Sequence, residues 1–314
     1  MSQANTDNGG RSVRLSQVTL LTNIDWLKIL KENINKEIHL CTYGCPDGEK
    51  MRQAVSHIAN GKIIIGTRQP KQDWNILKTN SNVKVRYNSH AKLLLIYPKI
   101  VYLSSQNIEF NDLYQTSIRI EDSVAYEYYL NQFNEQWTED NPKKEYYKNK
   151  SILNPKYTQK VCSFSGDLMN VNKTEVTLKN CDSKLATMKN WKTKLTGIRN
   201  SYVIITTQRM PHQEYVCECL DLLLKNNDTV TLIVNDKPEL VQNYMELYPK
   251  ITIYHCMNIH SKMLIHDNQS VWLSSQNFGN SGEDWFECAI QLRNEKACHF
   301  YKKRLEEFLN ISID

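Results

Sequence analysis

The sequence predicts an α/β fold made of two related halves, each with a mixed sheet flanked by helices. The first observation is that short apolar runs rich in β-branched residues alternate with amphipathic segments of helical length. The second is that the order of these segments recurs, since QVTLL at 17–21 and EVTLK at 175–179 each begin a similar succession. Strands that alternate with helices place a sheet between helical layers. We therefore expect two α/β/α repeats related by a pseudo-twofold axis.

Each half is predicted to pass through the same elements in the same order. After the opening strand come an amphipathic helix and an apolar strand, EIHLCT at 37–42 or YVIITT at 202–207. A second helix, a buried strand, a third helix and four further strands follow. A long amphipathic helix, 124–137 or 297–309, then closes each half.

Composition sets the predicted boundaries between these segments. Residues 1–15 are polar and are predicted to form a disordered tail. Residues 141–157 are rich in lysine, carry prolines and are predicted to be a linker. The N-terminal repeat then spans 16–140 and the C-terminal repeat spans 158–314.

The overall composition narrows the classes of function. The 314 residues include nine cysteines, an odd number that favours free thiols in a reducing, cytoplasmic setting. No apolar run approaches the length of about 20 residues that spans a bilayer, so no integral membrane association is expected. The net charge of +5 permits a nucleic-acid partner without requiring one.

A polar motif, His-x-Lys followed by Ser-x-Asn, occurs once in each half. Its first copy is His90, Lys92, Ser105 and Asn107, and its second copy is His260, Lys262, Ser275 and Asn277. All four residues recur 170 positions later, so both copies occupy equivalent places in the repeat. A single histidine beside a lysine is ordinary protein surface, whereas two copies in register indicate a shared site.

These residue types suit the cleavage of a phosphodiester. Side chains two residues apart in a strand point to the same face, so each histidine is predicted to project beside its lysine. Lysines can balance the phosphate charge, and asparagine and serine can donate to its oxygens. One neutral imidazole can attack phosphorus while the other, protonated, donates to the leaving oxygen. This chemistry needs no metal and no cofactor, and the sequence has no carboxylate cluster that would hold two metal ions.

The second copy resembles the signature of the phospholipase D superfamily, His-x-Lys-x4-Asp followed by Gly/Ser-Ser-x-Asn. It matches at His260, Lys262, Asp267 and Ser274–Asn277, and Glu287 stands where the family has an acidic residue. The resemblance covers about residues 17–310. It implies one metal-independent site formed by both motifs and a covalent phosphohistidine intermediate.

The resemblance also implies roles for the individual residues. The N-terminal histidine, His90, would be the nucleophile, and His260 would be the general acid. Glu287 would orient a histidine ring, as the carboxylate does in a hydrolase triad. Asp267 would be structural.

The first copy departs from the family pattern. Tyr97 stands in the place of Asp267, and the place of Glu287 is taken by Ser117, or by Gln115 if the spacing differs by two residues. The tyrosyl-DNA phosphodiesterase branch also lacks the aspartate, so its loss is compatible with activity. The missing acid leaves open how His90 is oriented.

Three functions remain open on the sequence. The first is a DNA or RNA nuclease in a defence, restriction or repair setting, with Arg68, Arg86 and Arg209 contacting substrate and a partner protein supplying any targeting. The second is a phospholipase D-type lipid hydrolase or transferase, and the third is a catalytically silent nucleic-acid- or partner-binding protein. Two motifs in one chain make a monomer sufficient for the site, and a homo-oligomer is also compatible with it.

Overall fold

A computed structural model describes residues 10–44, 48–66, 82–86, 88–108, 113–139, 161–187, 191–226, 229–280 and 285–313. The strands are β1 Gly10–Leu21, β2 Glu37–Thr42, β3 Asn60–Ile65, β4 Val83–Val85, β5 Leu93–Ile96, β6 Ile100–Ser104, β7 Ser117–Glu121, β8 Ser163–Phe164, β9 Val176–Thr187, β10 Tyr202–Thr207, β11 Thr229–Val234, β12 Thr252–Cys256, β13 Met263–His266, β14 Ser270–Ser274 and β15 Cys288–Leu292. The helices are α1 Trp26–Glu32, α2 Gly48–His57, α3 Ser123–Thr138, α4 Trp191–Leu195, α5 Gln213–Asn226, α6 Pro238–Leu247 and α7 Glu295–Leu309, with a 3₁₀ turn at Leu168–Asn170.

The described strands form one mixed sheet in the order β4-β3-β2-β5-β6-β7-β1-β9-β15-β14-β13-β10-β11-β12-β8. Outward from the central pair β1 and β9, the first half runs β7-β6-β5-β2-β3-β4 and the second half runs β15-β14-β13-β10-β11-β12. The two halves therefore have equivalent strand orders, and the two-residue β8 is added at the outer edge of the second half. In each half a parallel set of three strands joins an antiparallel set of four. The prediction of an α/β fold with two similar halves and mixed sheet pairing is therefore confirmed.

Two long antiparallel strands join the halves at the centre. β1 pairs with β9 from Gly10 opposite Ala186 to Leu20 opposite Val176. The predicted tail is therefore wrong for residues 10–15, because pairing with β9 holds them in the ladder and Leu15 is buried in the core. Residues 1–9 and the predicted linker at 141–157 lie outside the described residues, and the division into domains stays a prediction.

Three apolar cores fill the spaces between sheet and helices. One covers a single face of both halves under α3 and α7, and it includes Leu15, Leu93 and Met263. The opposite face is covered by α1 and α2 in the first half and by α4, α5 and α6 in the second. No helix in the described part of the chain combines the length and the apolarity needed to span a bilayer.

The helices α3 and α7 each bind a strand of the opposite half. Tyr129 of α3 donates its hydroxyl proton to the Ala289 carbonyl in β15 at 2.8 Å. Tyr301 of α7 donates in the same way to the Ser117 carbonyl in β7 at 2.7 Å. Both tyrosines are fully buried, so these bonds fix the beginnings of β15 and β7 where water cannot compete.

Candidate active site

The histidine of each motif lies just before a strand, and the backbone of the opposite half holds it there. The His90 amide donates to the Phe286 carbonyl at 2.9 Å, and the His260 amide donates to the Tyr114 carbonyl at 2.9 Å. The expectation that these histidines project from within strands is wrong, because β5 and β13 begin only after the lysines. Hydrogen bonding across the two halves supplies the positioning instead.

Each motif lysine turns back onto its own histidine. Lys92 Nζ donates to the His90 carbonyl at 2.6 Å and lies 3.1 Å from its Nε2. Lys262 Nζ donates to the His260 carbonyl at 2.8 Å and lies 3.3 Å from its Nδ1. Both lysines are only 1 % exposed. Each histidine therefore has an ammonium group beside it, as the spacing of the motif predicts.

A side chain from the opposite half contacts each imidazole ring. His90 Nδ1 lies 2.9 Å from Glu287 Oε1, and Glu287 is completely buried. His260 Nδ1 lies 2.8 Å from Gln115 Oε1. The two contacts cross, so the four residues form one site shared by both halves, and the expectation that Glu287 orients a histidine applies to His90.

The motif serines hold these orienting side chains. Ser105 Oγ accepts the Thr116 amide proton at 3.0 Å and donates to Gln115 Oε1 at 2.8 Å. In the same way Ser275 Oγ accepts the Cys288 amide proton at 3.0 Å and donates to Glu287 Oε2. The expectation that the serines donate to phosphate is therefore wrong, because each hydroxyl proton is already used. The shared pattern also identifies Gln115, and not Ser117, as the counterpart of Glu287.

These contacts determine which ring nitrogen of each histidine is free. Because Ser105 donates to Gln115 Oε1, that oxygen is an acceptor, and His260 Nδ1 must carry the proton that meets it. Glu287 likewise favours the proton on His90 Nδ1. In the neutral form of each histidine the lone pair then lies on Nε2. At His90 this lone pair faces Lys92 Nζ at 3.1 Å, a contact that must open before the nitrogen can attack phosphorus.

Burial and positive charge keep both histidines neutral when the site is empty. Burial, assisted by the charges of Lys92 and Lys262, lowers the pKa of His90 to about 4 against the opposing effect of Glu287. Burial also lowers the pKa of His260 well below its ordinary value, assisted by the charges of Lys262 and Lys92. Burial and the charge of Lys92 lower the pKa of Lys262 well below its ordinary value.

Glu287 remains ionised in these surroundings. Its burial alone would raise its pKa, but the interactions with His90, Lys92 and Ser275 outweigh that effect and hold the pKa below its ordinary value. Gln115 cannot carry charge, so the two otherwise similar halves differ in one formal charge beside the imidazole.

The two motif asparagines have different surroundings. Asn277 Oδ1 accepts the backbone N–H of Arg209 at 3.3 Å, which leaves its Nδ2 donors directed elsewhere. Asn107 Oδ1 is buried and has no hydrogen-bond partner among the described residues. An unsatisfied buried carbonyl oxygen is costly in a folded protein, and as an acceptor it is suited to a hydrogen-bond donor of a ligand.

Two aromatic residues that belong to no sequence motif border His90. The Tyr43 ring centroid lies 4.5 Å from that of His90, and the Trp285 centroid lies 5.8 Å from it. Tyr43 directly follows β2, and Trp285 precedes Glu287 by two residues. The only signal in the sequence is that both stand next to residues at the ends of predicted strands.

The three predicted substrate-binding arginines have different outcomes. Arg86 donates from Nε to the Gln136 carbonyl at 2.9 Å and from Nη2 to the Trp137 carbonyl at 2.7 Å, so it caps the end of α3 and the predicted substrate contact is wrong. Helix ends present carbonyl groups that attract a cation, which explains this placement. Arg209 is exposed next to Asn277, and its charge acts on Lys262. Arg68 lies outside the described residues.

Asp267 lies at the end of β13 away from Lys262. Its carboxylate accepts the Tyr202 amide proton at 2.7 Å, and its own amide donates to the Tyr202 carbonyl at 3.1 Å. Its backbone has a φ of 45°, in the left-handed region. These contacts fix the turn between β13 and β14, and they agree with the structural role expected of this residue.

A glycine at the end of β3 permits the chain to approach His90. A Cβ atom added to Gly66 would lie 1.5 Å from the Ser89 carbonyl oxygen. We expect Gly66→Ala to displace His90 and to lower kcat by at least about tenfold, because displacements near 1 Å at a reacting group are costly. The measurement is kcat on a phosphodiester substrate, with Gly197→Ala as the control, since the nearest atom there lies 3.9 Å away. Equal kcat for both variants would contradict this role of Gly66.

A search of solved structures identifies the fold. Phosphatidylserine synthase from Haemophilus influenzae Rd KW20 aligns over 96 % of this chain and 88 % of its own, with a TM-score of 0.61 and 11 % identity. The fold is phospholipase D-like. No family model and no curated protein matches the sequence.

Shorter structures also align with part of the chain. NucT from Helicobacter pylori aligns over 42 % of this chain and 99 % of its own, with 15 % identity and a TM-score of 0.34. Nuc from Salmonella typhimurium, a phospholipase D family member, aligns over 43 % of this chain and 97 % of its own, with 14 % identity and a TM-score of 0.34.

Within the described residues of this phospholipase D-like chain, no three His, Cys, Asp or Glu side chains cluster as metal ligands.

Proposed function

We propose that this chain is a metal-independent phosphodiesterase, and that it is a nuclease acting on DNA or RNA. The observation that carries the proposal is the crossed pair of imidazoles. Each has Nδ1 in contact with a side chain of the opposite half and a lysine Nζ beside the ring, and in its neutral form each has its reactive lone pair on Nε2. Two such groups in one site suit a displacement at phosphorus in two steps.

His90 is proposed to be the nucleophile and His260 the general acid. In the first step Nε2 of His90 forms a bond to phosphorus, the bond from phosphorus to the leaving oxygen breaks, and protonated His260 gives its proton to that oxygen. In the second step His260 accepts a proton from water, the resulting hydroxide attacks phosphorus, and the bond to His90 breaks. His90 and His260 then return to their starting states.

The difference between Glu287 and Gln115 supports this order of roles. Attack by His90 places positive charge on its ring, and the Glu287 carboxylate at 2.9 Å stabilises that charge. A strong acid must release its proton readily, and the uncharged Gln115 does not hold the proton on His260 as a carboxylate would. Protonation of His260 in the presence of substrate is favoured by the negative phosphate, which offsets the charges of Lys92 and Lys262.

Lys92, Lys262, Asn107 and Asn277 are proposed to bind the phosphate. Both lysines are buried, and in their protonated form, which a bound phosphate favours, they would neutralise its oxygens, while the amide groups would add neutral donors. Arg209 is exposed beside Asn277, where it could contact the adjoining part of a polyanionic chain.

A phospholipid is the second candidate substrate. It is favoured by the alignment with phosphatidylserine synthase, which covers nearly all of this chain. The same phosphohistidine chemistry would serve a lipid ester, with an alcohol or water as the second nucleophile.

A panel of substrates in excess EDTA tests the reaction and the substrate class together. It contains single-stranded DNA, double-stranded DNA, RNA and phosphatidylcholine vesicles. We expect cleavage of a nucleic acid to persist in EDTA, because the proposed steps use side chains alone. A strict requirement for a divalent metal would defeat the mechanism, and cleavage of the vesicles alone would favour the lipid alternative. Turnover of none of them would leave only the catalytically silent protein.

A further inference from the structure

The side of the site next to His90 has an aromatic wall. Tyr43 and Trp285 lie with their ring centroids 6.0 Å apart, and each ring is inclined steeply to the His90 ring, by 61° and 76°. Both side chains are half-buried. The wall is formed by one residue from each half of the chain.

The other histidine has no such wall at the equivalent positions. Each motif asparagine is followed by a residue whose amide donates to a threonine hydroxyl, Thr42 in the first half and Thr207 in the second, so these threonines are counterparts. The residues that follow them, Tyr43 and Gln208, are therefore counterparts as well. Because Gln115 is the counterpart of Glu287, Leu113 is the counterpart of Trp285. The aromatic pair is therefore a feature of the His90 side, and the phosphodiester need not bind in two equivalent orientations.

The charges near the wall restrict what can stack on it. Lys92 Nζ lies 5.5 Å from the centroid of the Tyr43 ring, and Lys262 acts on His90 through its charge. A cationic headgroup such as choline would meet repulsion from these lysines. A neutral ring attached to a phosphate would gain from the lysines and from the aromatic surface at once.

We propose that Tyr43 and Trp285 bind a nucleobase next to the phosphodiester that His90 attacks, so that the substrate is a single-stranded nucleic acid. The base faces of a duplex are stacked on each other, so a duplex cannot offer one to this wall without unstacking. The inference rests on the proposed phosphodiesterase function and specifies its substrate class.

The test uses substrates with a single phosphodiester. They are dithymidine monophosphate and two analogues in which one thymidine or the other is replaced by an abasic deoxyribose. For the unmodified protein we expect one analogue to lose about 5- to 150-fold in kcat/KM, the range for loss of one stacked base. The measured quantity is the ratio of kcat/KM for dithymidine monophosphate to kcat/KM for that abasic analogue. This ratio should fall toward one in Tyr43→Leu and in Trp285→Leu, and it should be retained in Tyr43→Phe.

The ratio separates base binding from general damage to His90, because a displaced histidine would slow all three substrates alike. Tyr97→Leu is the matched control, since Tyr97 is 57 % exposed at the turn between β5 and β6, at the opposite end of β5 from Lys92. Equal kcat/KM on the three substrates, a ratio that persists in both leucine variants, or preferred cleavage of phosphatidylcholine vesicles would overturn the proposal. Failure to cleave any phosphodiester would instead overturn the proposed function itself.

Discussion

His260→Ala should rapidly release one equivalent of p-nitrophenolate from bis-p-nitrophenyl phosphate and then turn over about 10²- to 10⁴-fold more slowly than the unmodified protein. This leaving group departs without a proton, so the first step does not need the acid, whereas hydrolysis of the intermediate needs His260 as a base. On a nucleotide ester, whose leaving oxygen must be protonated, the same variant should lose about 10²- to 10⁴-fold in kcat. His90→Ala should show neither the burst nor turnover, because the nucleophile is absent.

The measurement combines stopped-flow detection of the burst with mapping of the phosphorylated residue under conditions that preserve phosphohistidine. His299→Ala is the control, since His299 is an exposed histidine on α7, remote in sequence from both motifs. A burst in His90→Ala with phosphate mapped to His260 would reverse the two roles. Full activity in either alanine variant would refute a site shared by both motifs.

The repeat made the reacting residues predictable. His90, Lys92, His260 and Lys262 recur at a constant spacing, and the structure brings all four into one site. Because the spacing is the same in both copies, the two halves are expected to share the same local backbone. The repeated α/β architecture could therefore be predicted together with the reacting residues. The strand at residues 10–15 could not be predicted in this way, because the pairing of β1 with β9 depends on a partner far along the chain.

The partners of the imidazoles were harder to predict. Two additional residues between Asn277 and Glu287 leave Ser117 and Gln115 both possible as the counterpart of Glu287 in the sequence, and the bonds to the motif serines decide for Gln115. The crossing of these contacts between halves is a tertiary feature with no local pattern. The contacts of Tyr43 and Trp285 with His90 could not be predicted for the same reason, because these residues come from distant segments. The contacts of Arg86 with the end of α3 are likewise tertiary.

Gln115→Glu should extend activity to higher pH. The substitution places a carboxylate against His260 Nδ1, and Ser105 is already placed to donate to it as Ser275 donates to Glu287. An opposite charge at this distance raises a histidine pKa by about 1–3 units. Because His260 must be protonated to act as the acid, the alkaline limb of the plot of kcat/KM against pH should move upward by that amount.

The unmodified protein should have an acidic optimum for the same reason. His90 must be neutral and has a pKa of about 4, so kcat/KM should fall as the pH decreases through that value. His260 must be protonated and has a pKa well below 6.5, so kcat/KM should also fall as the pH rises through its pKa.

Glu287→Gln is the matched substitution at the other imidazole. It leaves an amide of the same shape beside His90 and removes the charge that stabilises the phosphorylated ring, so kcat should fall by as much as about 10⁴-fold, the size found for orienting carboxylates in hydrolase triads. The pair of variants also identifies the nucleophile. If His260 were the nucleophile, it would have to be neutral, and Gln115→Glu would move the acid limb upward while the alkaline limb stayed in place.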